Sequence, residues 1–266
     1  MDDVHPIEPA IRREIESRLD AIAAAHGVRI LYACESGSRG WGFASPDSDY
    51  DVRFLYVHPL DWYLRVVPDR DVIELPISKV LDINGWELRK ALGLLAKGNA
   101  TLVEWLDSPV VYHADAVFLA GMRAAIARTH RPERAFHHYV HMARKNYREY
   151  LRGERVRLKK YLYVLRPLLA TLWIERGRGP APMPFARLVE GIVTDPLLRE
   201  AIERLLAIKR AAAEAEYGAP LPELNAFIER ELARLESAPP PAPARIDHGV
   251  LDALLADTVR RDAAPP

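Results

Sequence analysis

Gly37-Ser38, ten residues, then Asp49-Tyr50-Asp51-Val52 is the stretch of this chain whose residue types and spacing carry the clearest chemistry. On a strand, successive side chains alternate faces, so Asp49 and Asp51 are expected to point the same way. Two carboxylates held together repel unless a cation lies between them, and a hard divalent metal is the usual candidate. The Gly-Ser turn upstream offers backbone N–H groups and a hydroxyl to an anion such as phosphate, which glycines admit closely because they lack Cβ. Metal carboxylates facing a phosphate cradle point to phosphoryl or nucleotidyl transfer. Arg39 would add a charge-assisted contact or sit on the surface. Arg53 shares the face of the acids and either neutralises them or reaches a phosphate. Residues 37–42 lack G-x-x-x-x-G-K-[ST], which argues against a P-loop ATPase.

The elements that must position these residues can be read from periodicity. Ile11, Ile15, Leu19 and Ile22 mark one face of a helix that starts near Pro9 and ends at His26-Gly27. Val28 to Cys34 reads as a buried strand running into the Gly-Ser turn. Asp49 to Val57 reads as the next strand, with Asp49, Asp51 and Arg53 on one face and Tyr50, Val52, Phe54 and Tyr56 on the core face. Residues 60–66 read as a short helix. Asp71 to Leu75 and Ser78 to Ile83 read as short strands, and Asn84 with Glu87 as the capping box of a helix whose buried stripe is Leu88, Leu92 and Leu95. Val110 to Tyr112 reads as an edge strand. Beyond about residue 115 strand signals fade: helices are expected from Asp115, from Pro132, through 134–176 with a break at Gly153 and a kink at Pro167, and over 196–217 and 222–236. Residues 237–244 are proline-rich, and 250–259 form a last amphipathic segment. The order predicts an α+β fold, mixed α/β first and all-helical after, with boundaries at 1–114, 115–236 and 237–266.

A second cluster is basic. Lys145, Arg148, Arg152, Arg155, Lys159 and Arg166 step by threes, fours and one seven, with Tyr163 in the gap, and form one cationic stripe if the helix is continuous. Leu158, Leu162, Leu165 and Leu169 lie on another side, toward the core. His137 and His141 sit at i, i+4, but no H-E-x-x-H or cysteine accompanies them, so they read as ordinary helix histidines. Trp86, Trp105 and Trp173 read as core.

Composition bounds the remaining options. The chain has 266 residues, 49% hydrophobic and 28% charged, with Lys+Arg and Asp+Glu equal at 37 each. A nucleic-acid partner must therefore be met by a local basic patch. The one cysteine, Cys34, reads as a buried core thiol and fits a reducing cytoplasm. The acidic N-terminus lacks a signal-like apolar run, and no apolar stretch approaches the roughly 20 residues of a membrane span.

Together, E-S-G-S-R-G-W-G-F, S-P-D-S-D-Y-D-V-R-F, D-I-N-G-W-E-L-R-K-A-L and K-G-N-A-T-L-V-E-W-L resemble the DNA polymerase beta-like nucleotidyltransferase superfamily. Within it they are similar to the RNA-repair-pathway DNA polymerase beta family. K-K-Y-L-Y-V-L-R-P-L-L-A also resembles that family, so the likeness runs from about Tyr32 to about Leu188. Ser36 departs from the superfamily pattern, where an apolar residue often precedes the Gly-Ser. The resemblance implies a mixed sheet with flanking helices, two Mg²⁺ ions with Mn²⁺ as a substitute, and an NTP substrate, ATP first. It also implies a third carboxylate on a neighbouring strand: Asp82 by position, with Glu74 as runner-up. Asp49 and Asp51 would hold both metals, and Asp82 would share one and accept a proton. Gly37, Ser38, Arg39 and Arg53 would hold phosphate. The family places the basic helix across from the carboxylates, which makes Lys159, Lys160, Tyr163 and Arg166 candidates for triphosphate or base. The expected activity is transfer of NMP to a hydroxyl, with RNA as acceptor. A protein or aminoglycoside-like acceptor, or a catalytically silent nucleotide- or RNA-binding module, are the alternatives.

Overall fold

The computed structural model describes residues 7–77, 80–211 and 217–263. In chain order its elements are α1 (Pro9–His26), β1 (Arg29–Glu35), the single turn α2 (Gly37–Gly40), β2 (Tyr50–Val57), α3 (Leu60–Tyr63), β3 (Val72–Glu74), β4 (Leu81–Glu87), α4 (Leu88–Ala96), α5 (Ala100–Trp105), β5 (Val111–Ala114) and α6 (Ala116–Thr129). There follow α7 (Pro132–Tyr150), β6 (Val156–Arg157), α8 (Lys160–Glu175), α9 (Phe185–Ile192), α10 (Pro196–Ala211), β7 (Tyr217–Gly218), α11 (Pro222–Ser237) and α12 (His248–Ala263). They fall into two compact units. One comprises residues 7–40, 49–130 and 245–263; the other comprises 41–48 and 131–244. The division thus lies after α6, where the sequence reading had placed it before that helix.

The first unit is a five-stranded mixed sheet in the order β3-β4-β2-β1-β5. β2 pairs with β4 in parallel and with β1 antiparallel, and β5 is an edge strand, as its sequence predicts. One face packs on α1 through Ile15, Leu19 and Ile22, which meet Tyr50, Val52, Phe54 and Tyr56. The other face packs Leu31, Leu55 and Val57 against Leu88, Leu92 and Leu95 of α4, Phe118 and Met122 of α6, and Leu251 and Val259 of α12. The C-terminal segment therefore docks on the sheet core. Burying each such side chain contributes about 1.5–3 kcal/mol. Gly85 on β4 leaves room for Phe54: a Cβ there would lie 2.2 Å from the ring.

Two local expectations are corrected. Asn84 and Glu87 do not form a capping box, because β4 runs on to Glu87. Register with β2 across seven residue pairs keeps this segment extended, and Glu87 itself caps α4 by accepting from the Lys90 N–H at 3.2 Å. Asp49 is not in the strand either: β2 begins at Tyr50, whose N–H is the first to pair, with the Val80 carbonyl at 2.8 Å. Ser78 and Lys79, read as the start of a strand, lie outside the described residues, as do 212–216 of the helix expected over 196–217.

The second unit is helical. The basic stripe is not continuous: α7 ends at Tyr150, the chain crosses a two-residue bridge of β6 with β7, and α8 begins at Lys160. The break falls where Gly153 predicts it. Pro167 sits inside α8 without ending it. Leu158, Leu162, Leu165 and Leu169 are all buried. Trp41, Phe43, Tyr163 and Phe185 form a chain of edge and tilted ring contacts at 5.5–6.2 Å in this unit. No described helix is long and apolar enough to cross a membrane.

Candidate active site

The acid cluster is built by register. In the parallel pair, Asp51 on β2 lies directly opposite Asp82 on β4. The Arg53 guanidinium spans them through one nitrogen, Nη2, which donates to Asp51 Oδ1 at 3.0 Å and Asp82 Oδ2 at 2.7 Å. Its Nη1 donates to the Val52 and Asp82 carbonyls, each at 3.0 Å. The cation between the acids is thus an arginine of the chain. Glu74 goes elsewhere: it is exposed and engages Arg70 and Asn84. Of the two candidates for a third carboxylate, only Asp82 shares a partner with Asp51 here.

The approach to Asp51 explains the Gly-Ser motif. Gly37 has φ +54°, and a Cβ on it would lie 1.9 Å from Asp51 Oδ2. A side chain would therefore be strained in backbone and driven into the carboxylate. Gly37 opens a helical turn rather than a loop, and Ser38 and Arg39 lie buried on it. Arg39 is not a surface residue. Its Nε donates to the Asp49 carbonyl at 3.2 Å, and its guanidinium lies 3.9 Å from the Tyr50 ring centroid. That contact fixes the backbone just before β2 while the Asp49 side chain stays exposed.

Sequence reasoning missed Glu35. Fully buried at the end of β1, it accepts the Asp51 N–H at 2.7 Å through Oε1 and the Tyr112 hydroxyl through Oε2. The Ser36 N–H donates to the Asp51 carbonyl at 2.8 Å, so Asp51 is clamped on both backbone groups. Burial pushes the Glu35 carboxyl up to about 7, against the two hydrogen bonds that lower it. Burial also raises the Asp51 carboxyl; Arg53 pulls it down, and Asp82 and Asp49 push it up. The signal was present in the sequence: an acid ending the apolar run Leu31–Cys34 must be paired or serve a purpose. Cys34 beside it is a buried free thiol whose pKa burial raises.

The donor set suits a hard cation. Asp51 Oδ2, Asp82 Oδ1 and the Asp49 carboxylate make no hydrogen bond or ion pair with the described residues, and all are oxygen donors. As the side chains stand, no group of three or more His, Cys, Asp or Glu among the described residues is close enough to hold a metal ion.

The basic candidates behave differently within their own unit. Arg166 is 3% exposed, donates to the Met183 carbonyl at 3.2 Å and covers the Trp41 ring. Lys160 lies over the rings of Tyr150 and Tyr163, and Lys159 stands at the N-cap position of α8 without a side-chain capping bond. His137 and His141 are exposed, with rings 6.4 Å apart. Trp105 is core and packs on Trp86, while Trp173 is only partly buried.

The sequence model of the RNA repair pathway DNA polymerase beta family matches residues 11–257. The chain belongs to that family. The assignment indicates a nucleotidyltransferase of the polymerase beta type, and it agrees with the Gly37 and Asp51 geometry. The uncharacterized protein YcgL of Bacillus subtilis (strain 168) is 45% identical over 228 residues, covering 86% of this chain and 88% of its own length. A solved structure, a nucleotidyltransferase-like protein from Exiguobacterium sibiricum 255-15, aligns over 92% of this chain and 75% of its own. Its identity is 13% and its TM-score 0.31, a likeness too weak to support an argument.

Proposed function

We propose that the chain transfers a nucleoside monophosphate from an NTP, ATP first, to an acceptor hydroxyl, and that RNA is the acceptor. The observation that supports this most is the pairing of Asp51 with Asp82 on neighbouring parallel strands, with the Asp51 carboxylate seated against Gly37, where a Cβ would lie 1.9 Å from it. Asp49, Asp51 and Asp82 would hold Mg²⁺, which when bound neutralises phosphate charge and lowers the pKa of a hydroxyl. The chain's own residues do the rest. Glu35 holds the backbone of Asp51 in place. The acceptor oxygen bonds to the α-phosphorus, pyrophosphate leaves, and the hydroxyl proton passes to Asp82 Oδ1, the oxygen Arg53 does not use. Arg53, once displaced from the acids, is free to meet phosphate oxygens. The Gly37-Ser38 turn offers its backbone and hydroxyl to the triphosphate, and Arg39 fixes the turn's exit. For Lys159, Lys160, Tyr163 and Arg166, nucleotide binding is proposed on the family resemblance. The one cysteine, reduced and buried, fits a cytoplasmic setting.

Purified protein with labelled NTPs, Mg²⁺ and a panel of RNA, protein and aminoglycoside acceptors tests the proposal. RNA labelling that needs Asp51 supports it; labelling of protein or small molecule alone moves the acceptor elsewhere. Arg53 already neutralises the acids, which favours a silent nucleotide-binding module as the second reading. Metal-dependent NTP binding without pyrophosphate release on any acceptor would establish that reading.

A further inference from the structure

A cavity of about 650 Å³ opens in the sheet unit around the far end of β2, lined by none of the acids Asp49, Asp51 and Asp82. Tyr56, in its wall, lies five residues beyond Asp51, about 17 Å along the strand at roughly 3.4 Å per residue. The volume falls within the roughly 300–1,000 Å³ typical of small-molecule pockets.

The lining is specific in three ways. Tyr56 is 0% exposed, yet its hydroxyl has no hydrogen-bond partner among the described residues. A buried hydroxyl left unpaired is costly, and native proteins keep few of them. Next, His58 stacks flat on Trp62, with centroids 4.2 Å apart and planes 8° apart, and Tyr56 meets His58 edge-on at 5.5 Å. Burial, then the Arg65 charge, lowers the His58 pKa, so at neutral pH its imidazole offers one donor and one acceptor. Last, the rim cations are already matched. Arg65 pairs with Asp69, Arg70 pairs with Glu74, and Asp61 adds a further acid. A phosphate would find no uncommitted cation among these groups. A flat, uncharged molecule with its own donors and acceptors would find aromatic walls and polar partners.

We infer that this cavity binds an unphosphorylated nitrogen heterocycle of the nucleobase class, at a site separate from the acids. A free nucleoside and an unpaired base of a single strand share this chemistry. Calorimetric titration of the full chain with adenosine, guanosine, cytidine and uridine, and with a short single-stranded oligoribonucleotide, separates the two sources. At least one probe binds. Trp62→Ala weakens it roughly tenfold or more, and Tyr56→Phe, which keeps the ring, weakens it roughly five- to tenfold. Asp51→Asn leaves it unchanged, so the result stands whatever happens to the transferase reading. Nucleoside binding identifies a small-molecule site, and oligonucleotide binding alone identifies a strand site; both support the inference. It is overturned if no probe binds at millimolar concentration, or if Tyr56→Phe and Trp62→Ala, each melting as the unmutated chain does, bind as tightly as it does.

Discussion

The acid end of β2 and the basic hairpin of α7 and α8 organise charge in different ways. At the acid end, backbone register sets the geometry. Asp51 faces Asp82 because two strands pair in parallel, and Glu35 and Ser36 clamp the Asp51 backbone. Several carboxylate oxygens are left uncommitted. In the hairpin, charge is distributed by side chains. Arg166 is sunk against Met183 and Trp41, Lys160 rests on two rings, and Arg155 and Arg157 serve the β6–β7 bridge. A register-built site keeps its functional groups in place without occupying them, whereas a packing-built cluster commits most of its cations to the fold.

That contrast gives four tests, in descending order of expected effect. Asp51→Ala should lower NMP transfer by about a thousandfold or more, since several kcal/mol of charge stabilisation are lost, with little change in melting temperature. Preserved turnover would break the functional half of the contrast. Gly37→Ala should cost about 1–3 kcal/mol of stability from the positive φ alone and disable turnover as well, because the new Cβ displaces the Asp51 carboxylate. A melting temperature and rate equal to the unmutated chain would contradict the seating of Asp51.

The third test uses pH. Glu35 has a folded pKa of about 7 against an ordinary 4.5, so the fold favours its protonated form. Its penalty is absent below about 4.5, grows as pH rises toward 7, and reaches about 3 kcal/mol above that. Asp51 shifts in the same direction. Denaturant unfolding should therefore show stability falling over that window, and Glu35→Gln should flatten the slope. Stability that rises over the window and is indifferent to Glu35→Gln would refute the shift. The fourth test is in the hairpin, whose exposed cations carry the smallest expected effect. Lys145→Ala and Arg148→Ala, on the exposed face of α7, should change stability by no more than about 0.5 kcal/mol. Arg166→Ala, which leaves a buried void and removes the guanidinium bonds to the Met183 carbonyl, should cost about 2–4 kcal/mol by thermal melting. Equal effects would erase the difference between committed and uncommitted cations.

Much of the sheet was legible because its signals are local: the stripe of α1, the core face of β2, the Gly-Ser turn and the edge strand β5 follow from periodicity and turn residues. The choice of Asp82 over Glu74 was legible only by position, since strand register is a long-range property. Asn84 and Glu87 misled because a capping-box pattern also fits a strand whose last residue caps the next helix. The cationic stripe depended on a continuous helix, and α7 ends at Tyr150, just before the Gly153 break that the sequence marks. Glu35 was overlooked because its partners, the Asp51 amide and Tyr112, lie far along the chain.

The most direct test of the carboxylate set compares two isosteric changes on adjacent strands. Pyrophosphate release from labelled NTP in Mg²⁺ would be followed for Asp82→Asn and Glu74→Gln, with both variants shown to melt as the unmutated chain does. The account predicts that Asp82→Asn abolishes release while Glu74→Gln retains it. Release surviving in Asp82→Asn, or lost in Glu74→Gln, would contradict it.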